Sequence, residues 1–208
     1  MRMTGLEKRL VNRKRKAQRN VEMLSERLAE LDTPAMHDAL ELGCGIGVVS
    51  AFLAESYGMN VHGTDFDPDQ VRTARALNRE GDRLHFGVAD AARLPFASSS
   101  FDLVVSQNVF HHVPDWQSAV REISRVLRPN GCLIWYDLVF PGWIVKAFRS
   151  FLTDYGLYTF EQVRREVAAY GFETLFHERV AHGPFGHHHM VLQKLPDSLA
   201  TRRVPQSC

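Results

Sequence analysis

Short apolar runs alternate with helical patterns along this 208-residue chain. That alternation restricts the fold more than any other feature. The runs at 39–42, 59–64, 84–89, 101–106 and 132–138 read as strands. The intervening 48–57, 68–78 and 115–127 read as helices, with Asp67 as N-cap and Pro68 as first helical residue of the second. A further helix is expected over 159–169, capped by Thr159 with Glu161 or Gln162 in its first turn. Late strands are expected at 172–180 and 190–194. Repeated strand–helix units imply an α/β fold: a doubly wound parallel sheet with helices on both faces. Such sheets bind ligands beyond the carboxyl ends of their strands, where the strand order reverses.

The first strand runs into Glu-Leu-Gly-Cys-Gly-Ile-Gly at 41–47, and a helix follows at once. Gly43, Gly45 and Gly47 let the backbone turn tightly and let a ligand approach without meeting a Cβ. The spacing is Gly-x-Gly-x-Gly, not the Gly-x-Gly-x-x-Gly that seats a pyrophosphate on a helix N-terminus. An acid, Glu41, precedes the loop; it favours a ligand with a cationic group and repels a diphosphate. Eighteen residues past Gly47, the second strand ends at Asp65. A carboxylate there can accept from both hydroxyls of a ribose. Together these features describe a nucleoside ligand with an amino-acid-like tail. Asp90, at the end of the third strand, lies on the same edge. Asp102 opens the fourth strand and reads as structural, capping or pairing with an arginine such as Arg125.

The chain resembles the class I S-adenosylmethionine-dependent methyltransferases, in particular the group that includes the ubiquinone and menaquinone biosynthesis enzymes. The pieces that carry the resemblance are Glu-Leu-Gly-Cys-Gly-Ile-Gly (41–47), Gly-Thr-Asp-Phe-Asp-Pro (63–68), Val-Ala-Asp-Ala-Ala-Arg-Leu-Pro-Phe (88–96), Ser-Phe-Asp-Leu-Val-Val-Ser (100–106), His-His-Val-Pro-Asp (111–115) and Glu-Ile-Ser-Arg-Val-Leu-Arg-Pro-Asn-Gly (122–131). The resemblance implies a Rossmann-like sheet of seven strands, mostly parallel with an antiparallel last strand. It implies S-adenosyl-L-methionine as cofactor and S-adenosyl-L-homocysteine as product. Gly43, Cys44, Gly45 and Gly47 would then bend around the methionine part, with Glu41 beneath. Asp65 would hold the ribose and Phe66 lie along the adenine. Asp90 would face the adenine amino group, with backbone of Ala91 beside it. Gln107 would lie near the methionyl tail. The family's Pro-Gly-Gly turn stands here as Pro129-Asn130-Gly131, and Asn tolerates positive φ.

Methyl transfer from a sulfonium is an in-line displacement, so positioning is the protein's main task. A base is useful only for a hydroxyl, phenol or acidic carbon. His111, His112 and Asp137 are the candidates. A small-molecule acceptor is expected, with a hydrophobic or lipid-like one favoured by two segments. Residues 1–31 carry nine basic against four acidic side chains, including Arg13-Lys14-Arg15-Lys16, and read as an amphipathic helix over 6–31. That run reads as a solvated helix face, or suits an acidic acceptor, RNA or an anionic membrane surface. In 139–152, Trp143, Ile144, Ala147, Phe148, Phe151 and Leu152 form a stripe at helical spacing. It reads as a helix packed on the domain, as a lid, or as a peripheral membrane contact. The expected organisation is 1–34 as a basic cap or surface helix, 35–195 as the methyltransferase domain and 196–208 as a loose tail.

Other classes are disfavoured. The formal charge of +1 argues against a dedicated nucleic-acid coat protein, and Ser106-Gln107-Asn108-Val109 is not the Asn-Pro-Pro-Tyr type of motif used on base amines. No specific nucleic-acid partner is expected. A nicotinamide-dependent oxidoreductase conflicts with the glycine spacing and Glu41. A non-catalytic S-adenosylmethionine-binding protein of the same fold is the alternative. His182 and His187-His188-His189 invite a metal reading, but no acid or cysteine stands at ligand spacing, so no metal is expected. Three scattered cysteines and no apolar run of membrane length point to a reducing cytoplasm.

Overall fold

The computed structural model describes residues 14–31, 33–148, 150–182 and 185–196. Leu6, Leu10 and Arg13, the side chains of Lys14, Arg15, Lys16, Ala17 and His182, Cys208 and the expected tail from 197 onward lie outside them. Seven strands form one sheet: β1 Asp38–Leu42, β2 Asn60–Asp65, β3 Leu84–Val88, β4 Phe101–Gln107, β5 Leu127–Val139, β6 Phe172–His182 and β7 Phe185–Lys194. Their order is β3-β2-β1-β4-β5-β7-β6. All neighbours pair parallel except β7, which is antiparallel to β5 and β6. The described helices are α1 Lys14–Leu28, α2 Val48–Tyr57, α3 Pro68–Leu77, α4 Trp116–Val126, α5 Gly142–Phe148 and α6 Phe160–Ala169. This is the Rossmann-like, doubly wound arrangement expected.

The apolar strands serve two cores at once. Successive side chains of a strand point to opposite faces. Leu103 and Val105 of β4, with Ile134 of β5, meet α1, α2 and α3 through Leu24, Leu28, Leu53 and Val71. Val104, Leu133 and Trp135 meet α4 and α6 through Ile123, Val126 and Val163 on the other face. A polar residue at most of these positions would face an apolar layer, which is why the runs look continuous.

Caps follow the sequence closely. Asp67 accepts from the Asp69 N–H at 2.9 Å. Asp115 accepts from Ser118 at 3.2 Å. Thr159 and Gln162 close a reciprocal capping box.

Three expectations need correction. Pro129-Asn130-Gly131 is not a separate turn: it is an irregularity inside β5, with Asn130 at φ 65°. Asp102 is structural, but its cation is Arg128 at 2.8 Å, while Arg125 pairs with Glu122 at 2.8 Å. Asp102 also accepts from the His37 and Asp38 N–H groups, so it fastens the amino edge of the sheet. The His187–His189 run lies within β7 rather than in a loop.

Candidate functional site

A cleft of about 440 Å³ opens at the carboxyl ends of β1, β2 and β4, where the strand order reverses. The chain leaving β1 forms its floor. Gly43, Gly45 and Gly47 all have positive φ, at 66°, 55° and 80°, a region an L residue with a Cβ rarely adopts. A Cβ at Gly47 would come within 2.6 Å of the Phe86 ring. Gly47 therefore seats the start of α2 on β3; among the three glycines, Gly43 and Gly45 line the cleft and Gly47 does not. α2 starts at Gly47 with no side-chain cap, leaving its first N–H groups beside the cleft.

Asp65 fixes this loop from β2. Its Oδ2 accepts from the Gly45 N–H and its Oδ1 from the Asp67 N–H, both at 2.9 Å. Each carboxylate oxygen keeps acceptor capacity for a further donor. Phe66 beside it leaves its ring 48% exposed. Asp90 and Ala91 form the opposite wall, with Asp90 accepting from the Ala92 N–H at 2.9 Å. Cys44 also lines the cleft; burial pushes its thiol well up, so it stays protonated.

Glu41 lies beneath the loop and is buried. Burial, with the Asp65 carboxylate adding to it, raises Glu41 to about 8 against the pull of a hydrogen bond from Ser50. At neutral pH this carboxyl mostly holds a proton. Gln107, at the end of β4, donates from Nε2 to the Asn20 carbonyl of α1 at 3.1 Å. Its buried Oε1 has no partner among the described residues.

His111 and His112 close the far wall. Asp137, fully buried at the end of β5, accepts from the Val109 and Phe110 N–H groups at 2.7 Å each and meets His111 Nδ1 at 2.5 Å. Burial alone would raise it, but His111 and the backbone donors outweigh burial and hold Asp137 below the usual carboxylate range. An ionised Asp137 only accepts, so Nδ1 carries the hydrogen and Nε2 of a neutral His111 carries the lone pair. Asp137 is thus removed from the cleft and orients His111.

The sequence reading missed Asn20, Asn108 and Val109 in the lining. Asn108 at φ 59° was the available signal, since Asn is a residue that tolerates this conformation. Asn20 carried none: its place depends on how α1 packs.

Among the described residues, the other histidines do not join the cleft. His188 stacks on Phe160, with its Nδ1 2.8 Å from His177 Nε2, and His187 stacks on Tyr136. Burial, then neighbouring cations, hold His188 down to about 4, so it is neutral. No group of metal-binding side chains is found among the described residues.

Residues 40–135 match the family model described as Methyltransferase domain. Methyltransferase GfsG of Streptomyces halstedii is 41% identical over 125 residues, 58% of this chain and 45% of that protein. The 2-methyl-6-phytyl-1,4-hydroquinone methyltransferase of a Synechocystis strain is 41% identical over 108 residues, 51% of this chain and 34% of that protein. The chain spans less than half the length of these relatives. A solved Galdieria sulphuraria structure, provisionally a sarcosine dimethylglycine methyltransferase, superposes with a TM-score of 0.74 at 19% identity, covering 86% of each chain. At that identity the likeness concerns the fold.

Proposed function

Since residues 40–135 belong to the class I S-adenosylmethionine-dependent methyltransferases, we propose that this chain methylates a hydrophobic, hydroxylated small molecule, leaving S-adenosyl-L-homocysteine. One observation carries the reading: a single cleft joins a left-handed glycine loop, an acid at the tip of β2, an exposed phenyl ring and a histidine oriented by a buried aspartate. The donor fits this cleft. The volume lies within the ~300–1,000 Å³ of ligand pockets. Gln107 offers an unmatched buried acceptor to an ammonium or an amide.

Asp65 would accept from the ribose hydroxyls, Phe66 cover the adenine, and Asp90 with Ala91 bind its edge. Gly43, Cys44 and Gly45 would wrap the methionyl tail, with Gly47 setting the loop's position behind them. Glu41, once it releases its proton, would face the cationic end. When bound, S-adenosylmethionine supplies an already activated methyl group. The chain's part is to align the acceptor oxygen behind that methyl and to remove its proton. His111 Nε2 takes the proton, and Asp137 steadies the resulting imidazolium. α1, tied to Gln107 through Asn20, caps the cleft. A hydrophobic acceptor is supported by the apolar surface beside His111 and by the phytyl chain in the name of the Synechocystis relative's substrate.

The test is turnover with S-adenosylmethionine and a panel of alkylated hydroquinones, read by mass spectrometry. His111→Asn should lower kcat by about 10²–10⁴-fold and leave donor affinity within about twofold, since His111 acts on the acceptor side of the cleft. Absence of S-adenosylmethionine binding by the parent chain, or tight NADH binding in its place, would sink the reading.

A further inference from the structure

Most large apolar side chains that remain in solvent at the carboxyl edge of the sheet gather in one stretch. Trp143 and Phe148 of α5 are 67% and 45% exposed, Phe151 is 81% and Leu152 39%. The stripe read as a packed helix, a lid or a membrane contact faces outward at these positions. α5 is only seven residues long, and Val145 is its buried anchor. The stretch is nevertheless built: Phe151 and Leu152 both donate to the Phe148 carbonyl, at 3.0 and 2.9 Å. It also borders the cleft. The Gly156 N–H donates to the His111 carbonyl at 3.1 Å, and the Tyr155 ring lies 6.2 Å from that of His112. Pro114 lines the cleft on one side and a smaller cavity, shared with Leu152 and Tyr155, on the other.

A second feature lies on the same edge. α1 runs against the strands, from its first turn toward the chain that enters β1, and its Asn20 sits on Gln107 at the carboxyl end of β4. Arg19, one residue before Asn20, is exposed there and close enough to Tyr136 of β5 to act on its hydroxyl. Lys146, the one charged residue of α5, is exposed as well.

Aromatic side chains flanked by cations match the boundary layer of an anionic bilayer, where rings sit among the headgroups and cations meet lipid phosphates. We propose that this edge is a docking surface for an anionic membrane: Trp143, Phe148, Phe151 and Leu152 enter the headgroup layer while Lys146 and Arg19 of α1 meet anionic lipid. The cleft then opens onto the phase in which a lipid-soluble acceptor dissolves. That consequence for the acceptor rests on the methyl-transfer reading; the docking surface does not.

The experiment is flotation of the full chain with vesicles of phosphatidylcholine alone and of equal parts phosphatidylcholine and phosphatidylglycerol, with S-adenosylmethionine affinity measured alongside by calorimetry. The mixed vesicles should bind the chain at least about tenfold better, with binding weakened by salt. Trp116 and Trp135 are already buried, at 5% and 1% exposed, so a blue shift and protection from acrylamide report Trp143. Trp143→Ser combined with Phe151→Ser should lower vesicle binding about tenfold, with circular dichroism and donor affinity unchanged. Equal or absent binding to both vesicles, or a double variant that floats like its parent, overturns the proposal. So does a double variant that loses a dimer in sedimentation while vesicle binding persists. If flotation holds and the parent chain fails to bind S-adenosylmethionine, the docking surface stands and the functional reading falls.

Discussion

Two carboxyl groups, one beneath the glycine loop and one at the end of β5, are both buried and carry opposite protonation. Glu41 is raised to about 8, whereas Asp137 is held below the ordinary carboxylate range. Burial pushes both upward, so burial does not separate them. The difference lies in the donors. Among the described residues the Glu41 side chain receives hydrogen bonds from Ser50 alone, through its hydroxyl and its backbone N–H. Asp137 receives the N–H groups of Val109, Phe110 and Leu138 and faces His111. The β5 carboxylate has its charge matched by the fold and acts as structure. The carboxyl under the loop lacks a matching cation and is left poised for one that arrives with a ligand.

Asp137→Ala should give the largest effect. It strands the N–H groups of Val109, Phe110 and Leu138 and frees the His111 ring, at a cost of about 3–5 kcal/mol in urea unfolding. At or below about pH 4.5, where the parent carboxyl is neutral in both states, Glu41→Gln at equal burial should change stability by less than about 1 kcal/mol. The two also leave opposite pH signatures. Asp137 is depressed, so its contribution is complete above the unfolded-state value and is lost as pH falls through the folded one. Glu41 is raised, so its contribution is complete below the ordinary value of 4.5 and is lost as pH rises toward about 8. Unfolding midpoints measured across that range should lose their alkaline decline in Glu41→Gln. Parallel profiles for parent and variant would break the comparison.

Next in size are Asp65→Ala and Gly45→Val, read by calorimetry with S-adenosylmethionine. Each should weaken binding by at least about a hundredfold, equivalent to roughly 2.7 kcal/mol. Asp65→Ala removes the proposed ribose acceptor and unlocks the Gly45 N–H together. Gly45→Val forces a β-branched side chain to φ 55°. Near-normal binding by either folded variant would detach the loop from the ligand.

This loop was legible because backbone conformation there has few residue solutions: three positive φ values demand glycine-like residues, and the acid must stand where β2 ends. The cores were legible for a similar reason, since period-two alternation on covered strands leaves only apolar choices. What the sequence hid depends on tertiary approach. Asn20 reaches the cleft only because α1 packs through Leu24 and Leu28. Asp137 looked like a base because its position along β5 says nothing of the turn at Phe110–His112, whose N–H groups it collects. The stripe at 139–152 stayed open between packing, lid and surface contact because spacing reports a face without saying what covers it. Asp102 found Arg128 rather than Arg125 because the irregularity in β5 carries Arg128 back to the sheet edge.

Glu41→Gln tests the ligand side of the comparison. If a cation displaces the Glu41 proton, binding below pH 8 releases about one proton per site. Calorimetry in buffers of different ionisation enthalpy should register it in the parent and lose it in the variant. The variant's affinity should fall about tenfold near pH 8, where the parent carboxylate is available, and less near pH 6. Equal proton release in both proteins would mean that another group, such as the ligand's own amine, supplies the proton.

Ser50→Ala should give the smallest effect and the finest discrimination. The Ser50 hydroxyl donates to Glu41 and lowers its pKa, so removing it leaves burial less opposed. The carboxyl should then titrate higher, and binding-linked proton release should extend to higher pH while its stoichiometry stays the same. Stability should fall by only about 0.5–1.5 kcal/mol, the net worth of one hydrogen bond. If the midpoint of proton release moves down instead, the hydroxyl favours the protonated form, and the proton on Glu41 is then held by a specific hydrogen bond rather than by the lack of a cation. That outcome would collapse the contrast with Asp137, because both carboxyls would then owe their protonation state to the fold alone.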